Sequence, residues 1–382
     1  MWCPVSPGPA RPTPSPPPHD AWRASGRTVI GTALSAQAAR QLQAGSGIPS
    51  STIKRLQNDL DRSGNPGLGP DHVLVVDEAA MVGTRTLVDL VARAHQGGAK
   101  VVLTGDACQL PEIEAGGGFA GLARRRDPAT LTTNRRQHAP WERQALSDLR
   151  LGHAPDALAA YEAHDRIHHN PDPRRTRDDM IDRWWCTVTD GGDALMLAAH
   201  HDAVRDLNAR ARQRMIEAGK VAGAQVRLGE QHFAIGDRVL GLANDYRIGL
   251  LNGTRGTVTA IDERRRALGI TTTDGTALQV PFAYGHDGHL AHGYATTIHK
   301  AQGATTDHAL VLVDETMSRE AIYTAMSRGR KHNDLYLAID SGRDDIAHAP
   351  ELNRDPVETL AAGVRRSAEQ QMAVDDLRGI GR

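Results

Sequence analysis

Two short apolar runs, each breaking into a polar cluster, dominate the hydropathy pattern of the chain. Residues 73–82 read VLVVDEAAMV, and residues 99–117 read AKVVLTGDACQLPEIEAGG. Both runs are continuous and β-branched rather than alternating, the pattern of parallel strands buried on both faces. Residues 84–96 between them read as a helix, so the segment predicts a strand–helix–strand unit with a right-handed parallel crossover. Upstream, TVIGTAL (28–34) predicts a strand feeding a helix over SAQAARQL, and Ser50, Ser51 and Thr52 place hydroxyls at the start of another helix. Residues 64–70 predict a loop.

Further along, LMLAAH (195–200) reads as a strand and HDAVRDLNARARQRMIEAG as an amphipathic helix. From residue 233 the spacing changes to strand-length runs separated by Asn-Gly, Asp-Gly and other Gly-containing turns, which predicts a small antiparallel barrel over 228–284. ALVLVD and DLYLAI then flank a helix and close a second α/β region. Residues 346–382 are charged and weakly patterned.

A chain of 382 residues has room for two or three domains, and only 4% aromatic residues means cores built from Ala, Val, Leu and Ile. With 45 basic against 46 acidic residues, no global field draws the chain to nucleic acid or membrane, so any DNA affinity comes from local patches. Basic residues cluster at 124–126, at Arg135 and Arg136, at 264–266, and at Arg328, Arg330 and Lys331; the 264–266 group reads as a solvated hairpin turn. Three widely spaced cysteines fit reduced thiols. No run approaches the roughly 18 apolar residues of a membrane span, and a cytoplasmic location with no membrane partner is expected. Residues 1–20 hold eight of the 20 prolines and predict a disordered leader, or a misplaced start whose true beginning lies upstream.

The polar clusters fall at the carboxyl ends of the predicted strands, where open α/β sheets bind nucleotides. Asp77 and Glu78 suit Mg2+ binding and activation of a water, and Gln109, one strand away, suits sensing of a γ-phosphate. That is the pattern of a nucleotide-driven motor. A G-x-x-x-x-G-K-[ST] phosphate loop, the usual companion of such a pair, does not occur in these residues; the only lysines are Lys54, Lys100, Lys220, Lys300 and Lys331. His286, His289, His292 and His299 suggest a metal set, but Asp287-Gly288 breaks their helical face and no cysteine joins them. Trp184 and Trp185, between Ile181 and Val188, read as core or lobe-interface residues rather than base-stacking platforms.

Taken in order, VVDEAAMV, LTGDACQLP, TTNRRQ, GYATTIHKAQGATTD and YTAMSRGR resemble the motifs of superfamily 1 helicases of the RecD/TraA type, and in particular the helicase part of MobF conjugative relaxases. The resemblance spans about residues 21–345. It implies two RecA-like P-loop NTPase lobes: a first over 21–128, truncated at its N-terminus, and a second over 129–227 and 285–345. An SH3-like barrel over 228–284 would be inserted in the second, and a tail would follow from 346 to 382. It implies ATP and Mg2+ as cofactors, with Asp77 and Glu78 as the Walker B pair, Asp77 holding the metal. Gly105, Asp106 and Gln109 would lie in the γ-phosphate sensor motif. Arg136 would reach the γ-phosphate from the second lobe, Arg328 would act as arginine finger, and Gln302 and Gly303 would sense nucleotide and DNA together.

Contacts to single-stranded DNA would come from Thr32, Ser35 and Thr52 in the first lobe and Thr297, His299 and Lys300 in the second, on phosphates and without sequence readout. The implied activity is ATP-dependent 5′ to 3′ translocation and unwinding. Because the phosphate loop is missing, little or no ATP hydrolysis is expected from this chain alone. The alternative is a non-catalytic single-stranded DNA-binding or partner-docking module. A relaxase nicking domain needs tyrosine nucleophiles and a histidine metal triad, and the N-terminal region offers neither, its tyrosines beginning at Tyr161; only the helicase half of a relaxase is expected, with an upstream relaxase or helicase fragment as a candidate partner.

Overall fold

The computed structural model describes residues 18–338 and 356–368, apart from 63, 66, 113–115, 127, 132, 133 and 135. The expected leader therefore lies outside the described residues up to residue 17, and residues 18–20 open a helix, Pro18–Ala24, instead of continuing a disordered segment. The chain divides into two compact units, one ending at Thr133 and one running from Asn134 to Ala368. Both are α/β, built on parallel sheets.

The first unit is a four-stranded parallel sheet in the order β2-β1-β3-β4, with β1 Thr28–Ala33, β2 Ser50–Thr52, β3 His72–Asp77 and β4 Lys100–Leu103. Alternation along β3 explains its unbroken apolar run. Leu74 and Val76 pack with Leu56, Leu87 and Leu90, while Val73 and Val75 pack with Val29 and Ile48 on the other face. Each such side chain contributes about 2 kcal/mol by leaving water. The helix Thr84–Gly97 shows Leu87, Leu90 and Ala94 to the core, spaced for one helical face, and ends at Gly98 in the left-handed region (φ 75°). Gly97 has no substitute, since a Cβ there would lie 1.5 Å from the Leu68 carbonyl oxygen.

The strands of the second unit, in chain order, begin with β5 Ile167–His169, β6 Ala194–Ala198, β7 Ala222–Leu228, β8 Gln231–Ile235, β9 Arg238–Gly241 and β10 Arg255–Asp262. They continue with β11 Ala267–Thr272, β12 Ala277–Pro281, β13 Leu290–His292, β14 Ala295–Thr297, β15 Thr306–Val313 and β16 Gly329–Leu337. A five-stranded parallel sheet runs β14-β6-β15-β16-β5. Trp184 is fully buried edge-on to Tyr294 at 5.6 Å, so it is a core residue, as its apolar neighbours predict.

Between β6 and β14 the chain makes the antiparallel region. Its five strands pair in the order β12-β11-β10-β9-β13, and β7 and β8 form a separate hairpin. The 263–266 segment is the turn between β10 and β11, with Arg266 left-handed at φ 50°. Backbone pairing leaves β12 and β13 as the two edges of this sheet, so its ladder is open rather than a closed barrel. The buried Asp237 ties the region to the parallel core. Its carboxylate accepts both Nε and Nη2 of Arg212, the Tyr294 hydroxyl at 2.8 Å and the Ala234 amide at 2.7 Å. A buried charge so completely partnered keeps its place; without those partners its desolvation would not be offset. No helix among the described residues is long and apolar enough to cross a membrane.

Candidate functional site

In the first unit the parallel register gathers polar residues at one edge of the sheet. Ala33, the last residue of β1, stands opposite both Thr52 and Asp77, so the ends of three strands are level. Asp77 closes β3, half-buried, and its Oδ1 accepts the Thr104 hydroxyl at 2.7 Å. Thr104 also donates its amide to the Val76 carbonyl and accepts from the Ala79 amide, which fixes the end of β4 against the turn after β3. Glu78 lies in that turn with φ 50° and ψ 39°, left-handed and not glycine. Such a residue stores about 1 kcal/mol of strain, and strain of this kind concentrates where a side chain must be aimed.

Past β4, Gly105 passes so close to the turn that a Cβ would sit 2.9 Å from the Ala80 nitrogen. Asp106 Oδ1 accepts the Cys108 amide at 3.1 Å, and the Asp106 carbonyl accepts the Gln109 amide at 3.1 Å. The loop therefore carries Gln109, half-buried, on the same end of the sheet as Asp77. Among the described residues no group of three or more His, Cys, Asp or Glu side chains is arranged to hold a metal. Asp77 with its Thr104 partner fits a Mg2+ ion whose remaining ligands are water and phosphate, the usual way this ion is held.

The hydroxyls expected to meet DNA have three different positions. Ser35 and Thr52 are N-caps: Ser35 Oγ accepts the Ala38 amide at 3.0 Å and Thr52 Oγ1 accepts the Arg55 amide at 3.2 Å. They present helix N-termini, with their unpaired amides, at the edge where β1 and β2 end. Thr32 differs from its expected role. It is fully buried and donates its hydroxyl to the Ser51 carbonyl at 3.0 Å, because the pleat of β1 turns it into the sheet; its side chain is a strand-pairing group.

In the second unit Thr297 ends β14, largely buried, with Oγ1 accepting the Lys300 amide at 3.3 Å, while His299 and Lys300 that follow are exposed. Gln302 is half-buried and Gly303 takes φ 80°, a conformation that favours glycine. Lys300 and Thr297 line the rim of a cavity of about 460 Å³ between the helix His201–Glu217 and the β8 and β13 strands.

Arg136 and Arg328, 192 positions apart in the chain, meet at one turn. Arg136 Nη1 donates to the Ser327 carbonyl at 3.0 Å, and Arg328, 1% exposed, donates from Nε to the Thr324 carbonyl at 2.8 Å and from Nη2 to Ser327 Oγ at 2.6 Å. Two supporting residues lie inside the motifs without a role read for them: Gln137, which donates to the carbonyls of Ser327 and Gly329 in this turn, and Thr104 of the first unit, which donates to Asp77. Both neighbour a motif residue, and that adjacency is the only signal the sequence offers for them.

Residues 18–172 match the profile of the AAA domain, and residues 292–336 that of the UvrD-like helicase C-terminal domain. The conjugal transfer protein TraA of Rhizobium radiobacter is 36% identical over 326 residues, 85% of this chain and 30% of that protein. The ATP-dependent RecD2 DNA helicase of Deinococcus radiodurans is 29% identical over 311 residues, 77% of this chain and 41% of that one. The chain thus spans less than half the length of these two relatives. The fold matches that of the Bacteroides Pif1 helicase crystallised with ADP-AlF3 and single-stranded DNA, with a TM-score of 0.52 and 19% identity over 82% of this chain and 83% of that one. Motif order, sequence relationship and fold agree, and the chain belongs to the RecD/TraA-type family of superfamily 1 DNA helicases.

Proposed function

We propose that the chain is the motor part of a TraA/RecD-like helicase, built for ATP-driven 5′ to 3′ movement along single-stranded DNA during conjugative transfer in the cytoplasm. The observation that carries this reading is the level edge of the first sheet, where Ser35, Thr52, Asp77, Glu78 and the Gly105–Gln109 loop end together. Mg2+ bound with a nucleoside triphosphate neutralises charge on the phosphoryl oxygens. On this reading Asp77 holds the ion, Glu78 orients the attacking water, and Gln109 reports the γ-phosphate. Gly105 and Asp106 shape the loop that carries Gln109. Arg136 and Arg328 supply guanidiniums for the transferring phosphoryl group, and Gln302 and Gly303 link nucleotide state to DNA. Ser35, Thr52, Thr297, His299 and Lys300 hold phosphates of the strand; Thr32 is outside that set, its hydroxyl engaged by Ser51. The antiparallel region is read as an SH3-like insertion.

These 382 residues contain no G-x-x-x-x-G-K-[ST] loop, and phosphates without its lysine and amide nest lose their main electrostatic hold. We therefore assign these residues by themselves little ATP hydrolysis. The same observation favours the second reading, a single-stranded DNA-binding or partner-docking module without turnover.

The test is oligonucleotide binding and phosphate release by the purified chain. Retention of single-stranded DNA, weakened by Lys300→Ala with a salt slope reduced by about 1, is expected. Absence of binding overturns the DNA reading. Vigorous hydrolysis stimulated by single-stranded DNA would instead overturn the assignment of low activity.

A further inference from the structure

The second unit buries a polar cluster with no place in the roles assigned so far. Glu142 on the helix Pro140–Leu151 is 1% exposed, and Asn333 on β16 is fully buried. Asn333 Nδ2 donates to Glu142 Oε1 at 2.8 Å and to the Gly329 carbonyl at 3.1 Å, while its Oδ1 accepts the Gly329 amide at 2.8 Å. The side-chain amide thus engages both backbone groups of Gly329, as a neighbouring strand would. Nothing but glycine fits there, because a Cβ would stand 2.2 Å from the His332 carbonyl oxygen and 2.6 Å from Asn333 Oδ1.

Gly329 directly follows Arg328. Its carbonyl also accepts Gln137 Nε2 at 2.8 Å, the same Gln137 nitrogen reaches the Ser327 carbonyl at 3.3 Å, and Arg136 Nη1 reaches that carbonyl at 3.0 Å. Three side chains therefore converge on the peptide groups either side of Arg328, and the outermost support of the set is the Glu142 carboxyl. A buried carboxyl and a buried amide are costly compared with apolar residues of the same volume. Their hydrogen bonds hold one turn in one place, which is a use for them that apolar residues could not supply.

We propose that Glu142 and Asn333 are positioning residues for the arginine pair: the Glu142 carboxyl orients the Asn333 amide, the amide sets the Ser327–Arg330 turn, and the turn sets the directions of Arg136 and Arg328. What those arginines touch rests on the nucleotide reading above; the clamp itself does not.

Charge gives the clamp a measurable signature. Burial raises the Glu142 carboxyl to about 7, with the Asn333 hydrogen bond and Arg166 opposing the rise and Asp334 adding to it. The groups facing it are Arg166, Asp334 and Tyr161, with Asp334 in turn paired to Arg166 and His168. Among the described residues Glu142 Oε2 has no hydrogen-bond partner, so protonation there changes the charge of the clamp without displacing the Asn333 bond.

The experiment is a pH titration of the full chain by 15N NMR, from about pH 5.5 to about pH 8.5, reading the Gly329 amide and the Arg328 Nε–H. Both resonances are expected to move through one transition near neutrality. Glu142→Gln, which keeps the acceptor for Asn333, is expected to retain both signals and lose the transition; Asn333→Ala is expected to shift both signals in a protein otherwise folded. If Asn333→Ala does not fold, Glu142→Gln decides alone. Resonances that do not titrate, or that titrate unchanged in Glu142→Gln, overturn the proposal.

A second arm measures sodium triphosphate affinity by calorimetry. Asn333→Ala is expected to weaken it severalfold and Glu142→Gln to leave it at the wild-type value at one fixed pH. Wild-type affinity in a folded Asn333→Ala protein, in which Arg136→Ala does lower affinity, also overturns the positioning role. If Arg136→Ala leaves triphosphate affinity unchanged, the nucleotide reading fails while the clamp still stands on the NMR result.

Discussion

The acidic edge of the first unit and the arginine turn of the second hold their polar groups in opposite ways. Asp77 and Glu78 are half-buried, steadied by one threonine hydroxyl and by a left-handed backbone position. Arg136 and Arg328 sit at a turn whose Gly329 is bonded by the buried side chains of Gln137 and Asn333, with Asn333 in turn bonded to the buried Glu142. A shallow, strained edge is suited to exchanging water and a small ion, since nothing must be displaced from a low-dielectric interior. A buried turn is suited to keeping guanidiniums in a fixed direction, since any movement leaves a polar group unpaired. The difference teaches that strain and satisfaction are alternative ways of aiming a side chain.

The sharpest way to break this contrast is Asn333→Ala. It strands the Glu142 carboxyl and the Gly329 amide, and should lower unfolding free energy by about 3–5 kcal/mol near pH 8, read by urea denaturation. A loss below about 1 kcal/mol would mean the turn is not held as argued.

Next comes the pH dependence of stability. With Glu142 raised to about 7 from 4.5, the folded state binds the proton more tightly than the unfolded state does. The contribution of this group is full below its unfolded pKa and is lost as pH rises through the folded one, so stability should fall between about pH 4.5 and about pH 7 by at most roughly 3 kcal/mol. Glu142→Gln should remove that slope, and an unchanged stability–pH curve in the variant would refute the assignment.

At the other edge the effects are smaller. Glu78→Gly removes about 1 kcal/mol of backbone strain together with the side chain's own interactions, so its net effect on stability should be within about 1 kcal/mol, whereas the same substitution should abolish turnover in any assembly that hydrolyses ATP. A larger loss in thermal melts would mean that the side chain's interactions outweigh the strain of its backbone. Thr104→Val should cost about 1 kcal/mol through its bond to Asp77, checked in the same melts. Lys300→Ala, on an exposed side chain, should change stability by less than about 0.5 kcal/mol while weakening oligonucleotide retention.

Much of the fold was legible before any coordinates. The strands ending at Asp77 and Leu103 are apolar on both faces because both faces are covered, and a pattern that local is visible in ten residues. The hairpin turn at 264–266 and the buried Trp184 were read from their immediate neighbours for the same reason. Thr32 was misread because period and residue type do not say which face of a strand a hydroxyl takes when both faces are buried. The turn residues at 228–284 announce antiparallel strands without saying whether the two outer ones pair, and only the structure shows β12 and β13 as edges.

The sequence by itself determined the order of the motifs, the parallel character of the sheet around Asp77, and the family to which the chain belongs, since each rests on residues close together in the chain. Only the tertiary structure decided that Arg136 and Arg328 share a turn, and that Asn333 and Glu142, 191 positions apart, hold it. A hydrogen bond between distant segments leaves no periodicity behind, because its partners are chosen by the packing of whole elements and not by the local spacing that a sequence displays.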